Sequence, residues 1–155
     1  AIPEQKRYLV SSHDAFNYFA RAYLAQPEEI ANETWQKRFT APEGLAPDSQ
    51  LSATDIREII DHLKKYNIQV LFPESNLSRD SIRKIVDAGK ESGLNLWIAD
   101  CPLFADAMGA PGHEGDSYIK MVQYNARLIG MYLRDYNPHN EKSMCSDFYH
   151  EKGEK

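Results

Sequence analysis

The sequence predicts an α/β domain, a Rossmann-like lobe with a mostly parallel sheet of about four strands flanked by helices. Two observations carry this. Four short apolar runs, near Tyr8 to Ser12, Phe39 to Ala41, Ile68 to Phe72 and Leu94 to Ile98, are bounded by polar or turn-forming residues. Between them lie segments whose apolar positions recur at helical spacing. Strands alternating with helices imply βαβ units, whose crossovers are nearly always right-handed, and therefore a parallel sheet. A chain of 155 residues is long enough to bury one such core.

In chain order, the first six residues are polar and contain a proline, which reads as a linker. Tyr8 to Ser12 is the first strand. Asp14 to Leu24 is the first helix, with Phe16, Phe19, Ala20 and Tyr23 on one face and Asp14 or Ser12 as N-cap. The aromatics Phe16, Tyr18, Phe19 and Tyr23 read as core. Gln26 to Lys37 is weakly periodic, a loop or short helix. Phe39 to Ala41 is a short strand stopped by Pro42, and Pro42 to Ser49 is rich in turn formers. Ser52-Ala53-Thr54-Asp55 resembles a capping box and opens a helix striped by Ile56, Ile59, Ile60 and Leu63. Pro73 ends the strand from Ile68 to Phe72. Ser78 is placed to cap a helix striped by Ile82, Ile85 and Val86, which stops near Gly93. After the strand from Leu94 to Ile98, Asp100 to Gly115 is a loop with two prolines and three glycines. Asp116 is placed to cap a last helix striped by Ile119, Val122, Ala126, Ile129 and Leu133. Residues 137–155 form a polar tail.

Composition excludes several classes. Hydrophobic residues make up 42% and charged residues 26%, ordinary globular values. A net charge of -5 argues against a nucleic-acid footprint, which needs clustered Lys and Arg. No apolar run approaches the roughly 18 residues of a membrane span. Ala1-Ile2-Pro3-Glu4-Gln5 is not the basic start of a signal peptide. Cys101 and Cys145 lack C-x-x-C spacing, so neither a zinc ribbon nor a thioredoxin-type site is indicated, and one disulfide or two free thiols are both allowed. No glycine-rich phosphate loop follows a strand.

A parallel sheet sends every carboxyl end to one edge, where ligands bind. Residues just past the strands therefore become neighbours: His13, then Glu74, then Asp100, Cys101 and Asp106. An imidazole with carboxylates can coordinate a divalent metal or run acid/base chemistry. Each also has a plainer reading: His13 as a satisfied polar residue at a strand end, Glu74 holding a loop or helix terminus, Asp106 as a turn residue. Cys101 has no nearby cation to lower its pKa and is not read as a nucleophile. His62 beside Asp61 reads as solvated, and His113, His139 and His150 as exposed loop or tail residues.

Four ordered motifs carry a family resemblance. They are Ser12-His13-Asp14-Ala15-Phe16-Asn17-Tyr18-Phe19, Phe72-Pro73-Glu74-Ser75, Pro102-Leu103-Phe104-Ala105-Asp106-Ala107-Met108-Gly109, and Gly115-Asp116-Ser117-Tyr118 with Tyr124-Asn125. Together they resemble the cluster A-I metal-binding receptors of ABC importers, the manganese, zinc and iron solute-binding proteins. The resemblance spans about Ile2 to Asp135, with the segment from Gln26 to Thr40 and the tail outside the general pattern. It implies that residues 1–136 are the C-terminal lobe of a two-lobe receptor. Each lobe would supply two ligands, here His13 and Asp106, with two histidines from the N-terminal lobe. Glu74 would support the site without ligating. The cofactor implied is a divalent transition metal (Mn, Zn or Fe) in the full protein, with this lobe alone metal-free or binding it weakly. The partners are the other lobe and an ABC permease, at the periplasm or outer face of the cytoplasmic membrane, a location that would permit a Cys101–Cys145 disulfide. The competing reading is a small hydrolytic or acid/base enzyme using His13 with Asp106 or Glu74. A third is a receiver-like interaction domain, in which His13 and Asp106 would point apart.

Overall fold

The computed structural model describes residues 1–42, 51–75 and 77–135. The connection from 43 to 49, the tail, His139, His150 and Cys145 lie outside the described residues.

Among the described residues four two-residue strands run parallel. β1 (Leu9–Val10) pairs with β2 (Phe39–Thr40), and β3 (Val70–Leu71) with β4 (Trp97–Ile98). Leu9 faces Phe39 in register and Val70 faces Trp97. A parallel bridge between Ser11 and Phe72 joins the two pairs, and the Phe72 N–H donates to the Val10 carbonyl at 2.8 Å. The spatial order is therefore β2-β1-β3-β4. The chain steps outward from β1 to β2, crosses back past β1 to β3, and continues to β4. Where that direction reverses, between β1 and β3, the following loops part and leave the crevice in which open α/β sheets hold ligands. His13 follows β1 and Glu74 follows β3.

Neighbouring strand residues point to opposite faces, so one strand feeds two cores. Leu9, Val70 and Phe72 join Phe16, Leu24, Leu128 and Tyr132 on one side. Val10 and Leu71 join Ile59, Ile60, Leu63, Ile82 and Ile85 on the other. The first and last helices thus cover one face, while α3 (Ala53–Lys65) and α4 (Asp80–Glu91) cover the second.

The first helix differs from its predicted face. α1 (Asn17–Phe19) continues as a π-helical turn, Ala20–Leu24, closed by the Ala25 N–H donating to the Ala20 carbonyl at 3.0 Å. The i→i+5 bond widens the turn. The buried positions become Phe16, Ala20 and Leu24, whereas Tyr23 is 63% and Tyr18 80% exposed, so these two tyrosines are not core. Neither Asp14 nor Ser12 caps the helix; Phe16 holds the cap position, and the Asp14 carboxylate accepts from the Asn17 amide instead.

The segment from Gln26 to Arg38 is more ordered than its periodicity predicts. α2 (Pro27–Ala31) starts with Pro at its first position and a capping box between Gln26 and Glu29, and a 3₁₀ turn follows at Trp35–Arg38. The buried Arg38 guanidinium donates to both Glu29 carboxylate oxygens at 2.8 Å and to the Glu4 carbonyl at 2.9 Å. It also lies 4.6 Å from the Tyr8 ring centroid. Burial opposes charge on Glu29, but the Arg38 hydrogen bond outweighs it and holds the carboxyl down to about 2.

Ser52 and Asp55 form the predicted capping box, and Ile59, Ile60 and Leu63 are buried. His62, read as solvated, is half-buried, with its ring edge-on to Tyr66 and its Nε2 buried without a hydrogen-bond partner. Burial lowers its pKa. Arg79 occupies the cap position of α4, although the Ser78 hydroxyl does accept from the Asp80 N–H at 3.2 Å. Gly93, at φ +80, ends α4 in the left-handed conformation that favours glycine.

α5 (Tyr118–Asp135) is rotated from its predicted stripe. It buries Met121, Tyr124, Asn125, Leu128, Ile129, Tyr132 and Leu133, while Ile119 is 69% exposed and Ala126 faces solvent. Polar handles explain the rotation: the Tyr124 hydroxyl donates to the Pro102 carbonyl, and the Tyr132 hydroxyl accepts from the Asp100 N–H. The Lys120 N–H donates to the Ser117 hydroxyl at 3.4 Å, whereas Asp116 accepts from the Gly112 N–H and the Lys120 ammonium. Ser117 therefore takes the capping role expected of Asp116. None of the helices among the described residues is long and apolar enough to cross a membrane.

Candidate metal centre

At the crevice between β1 and β3 the chain brings three side chains together. His13 is set by its backbone: its N–H donates to Glu74 Oε2 at 2.7 Å, and its carbonyl accepts from the Ser11 hydroxyl and the Ala15 N–H, each at 2.9 Å. That geometry turns the imidazole inward along the rim. His13 Nδ1 lies 3.6 Å from Asp106 Oδ2 and 3.7 Å from Glu74 Oε1. The sequence places 92 positions between His13 and Asp106.

The three groups differ in access to water. The His13 and Glu74 side chains are buried, whereas the Asp106 side chain is 55% exposed. His13 Nδ1 and Glu74 Oε1 are buried with no hydrogen-bond partner. A buried polar atom without a partner costs about 1–3 kcal/mol, so both atoms are poised to accept a proton or a cation. Burial pushes the Glu74 carboxyl up to about 7, against the pull of the His13 N–H it accepts.

The spacing suits one shared ion. Tetrahedral bonds of roughly 2.1 Å to an imidazole nitrogen and a carboxylate oxygen put those atoms about 3.4 Å apart. The observed separation is 3.6 Å. Two ligands do not enclose an ion, and among the described residues no group of three or more His, Cys, Asp or Glu is placed to hold one. The pair can offer two donor atoms to an ion, on a side where the Asp106 side chain is 55% exposed.

Of the other residues read as candidates, Asp100 is exposed, with its backbone tied to Tyr132. Cys101 is fully buried, and no cysteine among the described residues is free. His113, read as exposed, is half-buried against Phe104 and Tyr124, and its Nδ1 accepts from the Gly115 N–H. Asn125 stands in the fourth motif without a role in the sequence reading, yet it clamps the backbone N–H and carbonyl of Phe104. The signal was there: an amide on the apolar face of a long helix needs buried partners.

The family described as zinc-uptake complex component A, periplasmic (ZnuA), matches residues 1–131. The chain belongs to this family. It is 42% identical over 128 residues to the metal-binding protein YtgA of Chlamydia pneumoniae, covering 83% of this chain and 37% of that protein. It is 33% identical over 133 residues to the manganese-binding lipoprotein MntA of Bacillus subtilis, covering 86% and 39%. Among solved structures, Fe(III)-bound YtgA from Chlamydia trachomatis superposes with a TM-score of 0.76 at 36% identity, over 85% of this chain and 43% of that one. The sequence resemblance to metal-binding ABC receptors agrees with these relatives. The chain spans about two-fifths of their length.

Proposed function

We propose that residues 1–136 act as the C-terminal lobe of an extracytoplasmic metal receptor, with 137–155 as an appended polar tail. His13 and Asp106 supply half of the ligands to one dication, and a second lobe supplies the rest. Glu74 supports the pair by accepting the His13 N–H and keeping a carboxyl behind the ring. The reading rests on one observation above all, the unpartnered His13 nitrogen facing the Asp106 carboxylate at 3.6 Å across the sheet's switch point.

The cargo is a first-row transition-metal ion, divalent for zinc and manganese, while the solved chlamydial YtgA structure holds Fe(III). Imidazole with carboxylate suits zinc, manganese and iron alike, and the relatives' names span the same three metals. Closure of the second lobe completes the coordination sphere, and its opening releases the ion to an ABC permease at the periplasmic or outer face of the membrane. No bond is made or broken. Because the imidazole binds metal only when neutral, acid weakens capture. The acid/base enzyme reading draws no support from relatives in metal uptake.

Elemental analysis of the complete two-lobe protein tests this. Wild type should carry one Mn, Zn or Fe per molecule, and His13→Ala or Asp106→Ala should lose it. Equal metal content in all three proteins would refute the assignment.

A further inference from the structure

Asp106 has an unusual dependence on its surroundings. Its carboxylate is more than half exposed and makes no hydrogen bond of its own among the described residues. Apart from the 3.6 Å approach to His13 Nδ1, its placement comes through the backbone. Upstream, the chain is anchored at Leu103, whose N–H donates to the Pro73 carbonyl and whose carbonyl accepts from the Ser75 N–H. Downstream, the next anchor is the Gly109 N–H on the Gly115 carbonyl. Between them, Phe104 is held twice by one side chain. The Asn125 Oδ1 accepts from the Phe104 N–H at 3.0 Å, and its Nδ2 donates to the Phe104 carbonyl at 2.6 Å. Asn125 is 4% exposed. The Phe104 ring is fixed as well: it packs against Tyr124, and a Cβ at Gly115 would come within 2.9 Å of it.

We propose that Asn125 is the positioning residue of the metal site, its amide fixing the Phe104 peptide so that Asp106, two residues on, meets His13. This rests on Asp106 being a ligand. The clamp ties the last long helix to the ligand loop with both donor and acceptor of a single planar group, so it sets rotation as well as distance. It orders in advance a carboxylate that would otherwise sample the solvent side of the rim, and the metal spends less binding energy ordering it.

The test is a double-mutant cycle in the complete two-lobe protein, with Zn2+ affinity read by chelator competition and folding checked by circular dichroism. Asn125→Ala should weaken Zn2+ binding about 10- to 100-fold, the usual cost of losing a residue that supports a ligand. In an Asp106→Ala background the same substitution should cost nothing further. If Asn125→Ala does not fold, Asn125→Asp, which keeps the acceptor for the Phe104 N–H but loses the donor, takes its place in the cycle. Equal losses with and without Asp106, or unchanged affinity in a folded Asn125 variant, would overturn the proposal. An Asp106→Ala protein binding Zn2+ like wild type would instead refute the metal assignment, and this proposal with it.

Discussion

Replacing Arg38 with methionine removes the guanidinium that holds the amino-terminal edge of the sheet together. The substitution keeps a long, largely apolar stem and deletes two 2.8 Å bonds to Glu29 and one 2.9 Å bond to the Glu4 carbonyl. The Arg38 side chain is 3% and the Glu29 side chain 10% exposed, so the carboxylate cannot simply turn to water. Lys37, one-third exposed and 2.7 Å away, remains as its partner. Breaking a buried pair costs about 3–5 kcal/mol, and the surviving lysine places this case near 3 kcal/mol. For a chain of this size that is a fall in Tm of about 6–12 °C. The Glu29→Met, Arg38→Met double variant should recover most of the loss, because no charge is left stranded. Chemical denaturation of the three variants measures this, and metal titration should show no change, since the network lies at the opposite end of the strands from His13. A loss below about 1 kcal/mol for the single variant would refute the reasoning.

Acid and base act on the two buried glutamates in opposite directions. Glu29, depressed from 4.5 to about 2, contributes stability that is complete above pH 4.5 and is lost as pH falls toward 2; Glu29→Gln should flatten that limb of a stability-against-pH curve. Glu74, raised from 4.5 to about 7, stabilises the fold while protonated, so metal-free stability should decline as pH rises from 4.5 through 7, and Glu74→Gln should abolish the slope. In the first helix, Tyr23→Ser should change stability by less than about 0.5 kcal/mol. Leu24→Ala should cost about 2–5 kcal/mol. Equal costs in urea denaturation would restore the ordinary helical face.

The strand positions, the alternation that produces a parallel sheet, and the gathering of His13, Glu74 and Asp106 on one rim were all legible in the chain. Each follows from local periodicity together with the rule that parallel strands share a carboxyl edge. Three features escaped it because each depends on partners distant in sequence. The π turn that exposes Tyr23 is a choice between two hydrogen-bonding patterns open to the same residues, decided by what Phe16 and Leu24 pack against. The rotation of α5 follows the hydroxyl and amide groups of Tyr124, Asn125 and Tyr132 toward backbone partners 21 to 32 residues away. The Arg38 network is invisible until the amino-terminal turn, α2 and β2 are brought side by side.

The sequence by itself determined which kinds of atom could bind a metal and on which edge they would stand, since residue chemistry and strand direction are local properties. Only the tertiary structure decided that an imidazole nitrogen would be left without a hydrogen-bond partner 3.6 Å from a carboxylate, and that an asparagine from the last helix would hold the backbone two residues before that carboxylate. Hydrogen-bond satisfaction is settled by the whole packed chain, so a buried atom left without a partner becomes visible only once every element is in place.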